Sequence, residues 1–175
     1  MLNVSARFWF VALCAASAIV LCEDLSAPST DRVGLPKDYQ TAWKLLRTVE
    51  DKGSNTVKVV YANDAAASRK SGAYPYDAVI VMETWSTVQD SQKKALLDDA
   101  GHFRRDKVTG LHVMRKEPGF GEAYGQNRSG EWEFVEYRPD GSYLTAPAAS
   151  AKCAACHLKA GTEKDFVYGG KPKPM

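Results

Sequence analysis

The stretch Glu131-Trp132-Glu133-Phe134-Val135-Glu136-Tyr137 alternates between two sets of side chains. Trp132, Phe134 and Glu136 fall on one side; Glu131, Glu133, Val135 and Tyr137 fall on the other. A period of two is the signature of a β-strand, whose successive side chains point to opposite faces. Pro139-Asp140-Gly141 behind it reads as a turn. Working outward, Leu111 to Lys116, Ala78 to Trp85 and Thr56 to Ala62 are rich in β-branched and aromatic residues and predict three more strands.

The helical signals are short. Asp38 can cap a helix carrying Tyr39, Trp43, Leu45, Leu46 and Val49 at roughly helical spacing. Asn63 or Asp64 can cap another through Ala65 to Lys70, which Gly72 and Pro75 terminate. Residues 91–100 read as a helix with Ala95, Leu96 and Leu97 as its apolar patch, and residues 148–158 read as a last one. Residues 121–130 hold three glycines with Asn127 and Ser129 and read as a loop. The expected class is α+β: an antiparallel sheet of four to five strands with short helices packed on it.

Composition is that of a folded protein, 45% hydrophobic and 25% charged. A net charge of +2, from 23 Lys and Arg against 21 Asp and Glu, gives no basic stripe and argues against a nucleic-acid partner. Arg7 precedes the apolar run Phe8 to Leu21, which is as long as a signal-peptide core and short for a membrane span. The expected organisation is a signal peptide over 1–22, a polar linker over 23–34 and one domain over 35–175, exported to the periplasm. An uncleaved membrane anchor is the alternative, and lipid attachment at Cys22 is disfavoured by the bulky Leu21.

Removal of the leader takes away Cys14 and Cys22 and leaves Cys153 and Cys156, too close in sequence to staple a fold. Cys153-Ala154-Ala155-Cys156-His157 fits C-x-x-C-H, the pattern of c-type haem attachment. Each thiol adds to one vinyl group, and two intervening residues let both sulfurs reach neighbouring vinyls. The adjacent His157 then meets the iron. A thioredoxin-type pair has the same cysteine spacing but belongs to a βαβ unit, which is not seen here. A zinc site needs two more ligands, and His102 and His112 match no common zinc spacing. One covalent haem c near the C-terminus is therefore expected. Haem, helices or a second subunit would cover the sheet faces.

The side of the iron opposite His157 decides the chemistry. Met82, Met114, Met175, His102 and His112 are the candidate sixth ligands. Met82 and Met114 sit in apolar strands where core packing is the default. His102 reads as a surface residue. His112 reads as a structural histidine with a distal role as its alternative.

The order of several stretches resembles the cytochrome P-460 family, which includes the cytochromes c prime beta. These are Leu35-Pro36-Lys37-Asp38-Tyr39 with Trp43, Val59-Val60-Tyr61-Ala62-Asn63 and Ala78-Val79-Ile80-Val81-Met82-Glu83. They continue with Val113-Met114-Arg115-Lys116-Glu117, Gly130-Glu131-Trp132-Glu133-Phe134, the haem motif and Asp165-Phe166-Val167-Tyr168. The resemblance implies a homodimer built on antiparallel sheet, with a histidine-ligated haem that is typically high-spin and five-coordinate. In family members that oxidise hydroxylamine, a lysine is bonded to the haem. Met82 takes that lysine's place here, and neither Lys58 nor Lys116 matches it. An acidic residue assists catalysis in those enzymes, and its place falls near His112.

The resemblance thus implies a binder of nitric oxide or a similar small gas, with Met82, His112 and Phe120 or Phe134 shaping the distal side. The alternatives are a hydroxylamine or nitric oxide oxidoreductase with His112 as acid or base, and a His/Met electron carrier. The electron partner is not legible.

Overall fold

The computed structural model describes residues 26–169. The leader read over 1–22, Cys22 and Met175 lie outside that range. Six strands form one antiparallel sheet in chain order: β1 Lys44–Asp51, β2 Thr56–Ala62, β3 Val79–Thr87, β4 Arg105–Lys116, β5 Trp132–Tyr137 and β6 Tyr143–Thr145. The α+β class holds, but the sheet has six strands where four to five were expected.

The extra strands have separate causes. β6 is three residues long, too short to show a period. β1 lies where a longer helix was expected; only α1, Tyr39–Ala42, is helical there. Leu45, Leu46 and Val49 fit either period. The backbone of β2 decides the matter, pairing with β1 from Lys44↔Ala62 to Asp51↔Thr56 and satisfying donors and acceptors that a helix would leave open. A bulge between Leu45 and Arg47 shifts the register.

Residues 91–100 form no helix. Asp90 Oδ1 accepts the backbone N–H groups of Gln92 and Lys94, and Asp98 Oδ1 accepts those of Ala100 and His102. Such local side-chain bonds offer the backbone an alternative to the helical ladder. The segment folds as irregular turns tied by the single bridges Gln89↔Ala95 and Leu97↔Phe103. The helix expected over Ala65 to Lys70 shortens to α2, Asp64–Ala67, with Asn63 as the cap: its Oδ1 accepts from Ala66 N at 3.0 Å. The last helix, α3, spans Ala151–Leu158.

The sheet has two buried faces. On one, Val60, Ile80, Met114, Phe134 and Trp132 pack with Ala151 and Ala154 of α3. Those two alanines, one helical turn apart, let the helix approach closely. On the other, Val79, Val81, Val113, Val135 and Tyr137 pack beneath Val33 and Tyr39. Residues 31–33, read as part of a linker, lie on this face. Asp31 Oδ2 accepts from the Tyr137 hydroxyl at 2.6 Å, Arg32 pairs with buried Glu133, and Val33 is 2% exposed.

Glu83, fully buried on β3, gathers the polar groups of that face. It accepts from the Tyr39 hydroxyl at 2.8 Å, from Trp85 Nε1 at 2.7 Å and from Gln40 Nε2. Glu83→Leu leaves these donors without an acceptor. Urea unfolding should show a loss of about 1–3 kcal/mol, the cost of one orphaned buried group, because the Tyr39 hydroxyl is buried whereas Gln40 is exposed and Trp85 half-buried. Glu83→Gln, which keeps an acceptor, should lose less.

Candidate haem site

Cross-strand register builds one wall of the site. Arg47, Val60, Met82, His112, Glu136 and Thr145 are successive partners across all six strands, so they form a row on a single face. This row lines a cavity of about 750 Å³ whose opposite wall is α3 and residues 167–169. Cofactor pockets span roughly 300–1,000 Å³.

On α3, Cys153, Cys156 and His157 stand at i, i+3 and i+4, and therefore share one helical face. All three line the cavity. The helix is anchored behind them by Ser150, whose hydroxyl bonds the buried Tyr124 hydroxyl at 2.9 Å; Tyr124 in turn accepts from Phe134 N.

His157 is held in one tautomer. Its Nδ1 lies 2.7 Å from the Phe166 carbonyl, which can only accept, so Nδ1 carries the proton. Nε2 is left as a lone-pair donor. Burial pushes the imidazole below its ordinary pKa, against the raising effect of the Phe166 carbonyl, and so favours the neutral form that binds metals. The ring packs against Phe134 at 4.5 Å and Tyr168 at 5.5 Å between centroids.

Burial pushes the Cys153 thiol up to about 11, aided by the Glu136 carboxylate. A redox-active cysteine of the thioredoxin type shows the reverse, a depressed pKa. Among the described residues, no group of three or more His, Cys, Asp or Glu is placed to hold a metal ion by itself.

The other candidates separate cleanly. Met82 lines the cavity beside His112. Met114 also lines it but is 7% exposed and belongs to the core. Phe134 flanks His157. Phe120, read as a possible distal residue, does not reach the cavity; Arg32 stacks over its ring at 4.3 Å, which fixes it in the packing beneath the N-terminal segment. His102 is on the surface, 3.3 Å from Glu50. Lys58 lines the cavity on the neighbouring strand and pairs with Asp51 at 3.4 Å.

Sequence reading missed Glu136 as a site residue. Its Oε1 lies 2.6 Å from His112 Nδ1, and Thr145 donates to its Oε2. His112 Nε2 meets the Thr84 hydroxyl at 3.1 Å. The inward alternation of Trp132, Phe134 and Glu136 was the available signal: a carboxylate on an apolar face requires a partner. The His112 hydrogen bond, assisted by Thr145, holds the Glu136 carboxyl down at about 2, against the ordinary 4.5. A depressed carboxyl pKa contributes stability that is present above the unfolded value and lost as pH falls through the folded one. Thermal unfolding followed by circular dichroism should therefore show acid destabilisation between pH 4.5 and about 2 that Glu136→Gln diminishes.

A cavity of cofactor size, a tautomer-locked histidine and two cysteines on one helical face of its wall together fit a c-type haem. Residues 36–169 match the model of the family described as cytochrome P460, and the chain belongs to that family. It is a c-type haem protein. No curated protein matches the chain.

Proposed function

We propose that the protein is an exported cytochrome holding one haem through thioether bonds to Cys153 and Cys156, with His157 on the iron, and binding a small neutral ligand such as nitric oxide. When bound, the haem supplies an iron that exchanges electrons and takes up a small ligand. The chain's residues orient that group and select what reaches it.

The carrying observation is the state of the histidines in the cavity. His157 spends Nδ1 on the Phe166 carbonyl, and its Nε2 has no hydrogen-bond partner among the described residues. His112 has both nitrogens engaged, one by Glu136 and one by Thr84, so serving as a sixth ligand would cost it a hydrogen bond. Val49, Val60, Ile80 and Met114 make much of the lining apolar, and against that part of the wall a charged ligand loses hydration that is not restored. Neutral diatomics incur no such cost.

The ferrous spectrum with and without nitric oxide tests this reading. A five-coordinate spectrum that changes on addition of the gas supports it. A low-spin ferric spectrum with a methionine-to-iron charge-transfer band would exclude it in favour of an electron carrier with Met82 as sixth ligand.

The His112–Glu136 pair favours a second reading, an oxidoreductase acting on hydroxylamine or a related nitrogen compound. With the Nδ1 proton directed to Glu136, Nε2 can take a proton from a ligand or return one, and Thr84 can act as donor or acceptor as required. Met82 in place of a haem-bonded lysine speaks against it. A steady-state assay with hydroxylamine and an electron acceptor decides between the two. If turnover occurs, His112→Ala should lower kcat by about a hundredfold, the lower end of general acid–base contributions.

A homodimer, periplasmic location and an electron-transfer partner complete the proposal.

A further inference from the structure

Resting on the reading of His157 as the iron ligand, we infer that Lys116 and Asp165 form a positioning pair that sets the hydrogen bond on its Nδ1. The Phe166 carbonyl that receives this bond is part of no helix or strand. It follows the turn Thr162–Lys164, and both Asp165 (φ 51°) and Phe166 (φ 60°) adopt left-handed backbone conformations. Two successive non-glycine residues in that region need outside support.

The support converges on Asp165. Its Oδ2 accepts from Lys116 Nζ at 2.6 Å and from Tyr74 N at 2.8 Å. Its backbone carbonyl accepts from Nε1 of the fully buried Trp132 at 3.0 Å. Three separate segments, the end of β4, the start of β5 and the loop before β3, thereby hold one residue. The next carbonyl holds His157. Gly130 completes the clamp: a Cβ there would lie 2.9 Å from the Phe166 ring, so a side chain at that position would displace it.

The Lys116 and Asp165 side chains are 7% and 9% exposed. Burying two charges is a poor way to gain stability, because desolvation offsets their attraction. A buried pair that fixes geometry has a better-attested purpose. The partner on the outer nitrogen of a metal-bound histidine sets ring orientation and raises ligand basicity. Lys116 and Asp165 do not line the cavity and act through Phe166.

Asp165→Asn alone leaves Lys116 buried without a counter-charge and risks misfolding. Lys116→Met combined with Asp165→Asn removes both charges, and asparagine tolerates the left-handed backbone. In the holoprotein, the double variant should retain covalent haem at the wild-type level. Its ferrous iron–histidine stretching frequency should fall and its reduction potential should shift positive, as His157 becomes a weaker donor. Unchanged frequency and potential, with altered thermal stability alone, would overturn the proposal. Should the wild-type protein carry no haem, the haem reading falls separately. Imidazole nitrogen NMR shifts of His157 then decide the strap: a pure Nδ1-protonated ring that becomes a tautomer mixture in the double variant supports it, and the same ring state in both refutes it.

Discussion

Replacing Cys153 and Cys156 together by serine should abolish covalent haem, so that the intact mass of the denatured protein equals that of the polypeptide alone. Both sulfurs lie on one face of α3 against the cavity. Serine fits the same space but cannot add to a vinyl group. A haem in the variant is left with one iron bond to His157 and apolar contacts, and it separates under denaturing extraction. Either single variant retains one thioether and therefore the full mass of haem. Little loss of apoprotein stability should accompany the double change, since Cys156 is exposed and Cys153 is half-buried. The pyridine haemochrome spectrum checks the result. Retention of unextractable haem in the double variant would mean that another side chain holds the macrocycle, and Met82 would be the first to examine.

On the proposed ligation, His157→Gly should leave the haem tethered while removing its axial donor. The iron–histidine stretching band should vanish, and added imidazole should restore a comparable one by diffusing into the vacated space. The ring's loss also leaves the Phe166 carbonyl without its donor and strips Phe134 and Tyr168 of a packing partner. An unpaired buried polar group costs roughly 1–3 kcal/mol, and this carbonyl is only half-buried, so stability should fall by about 1 kcal/mol. A wild-type-like stretching band in the variant, without imidazole, would show that another residue is the axial ligand.

The legible parts of the fold were those with a local period. Residues 56–62, 79–85, 111–116 and 132–137 all lie in strands because alternation and β-branched content agree there. Leu45, Leu46 and Val49 carry no decisive period, and pairing with β2 made them strand. Ala95, Leu96 and Leu97 looked helical until the carboxylates of Asp90 and Asp98 captured the nearby N–H groups. Glu136 showed as an inward residue without its role, because its partner His112 lies on another strand.

The local sequence was enough to put Cys153, Cys156 and His157 side by side. Two thiols and an imidazole within five consecutive residues need only one helix to bring them together, and short-range spacing is enough to specify that. What lies across the cavity from that helix came from the fold alone. The row from Arg47 to Thr145, the engagement of both His112 nitrogens and the carbonyl beneath His157 all depend on register between distant segments. Register is chosen by the burial of whole faces and the pairing of whole strands, and no local run of residues encodes it.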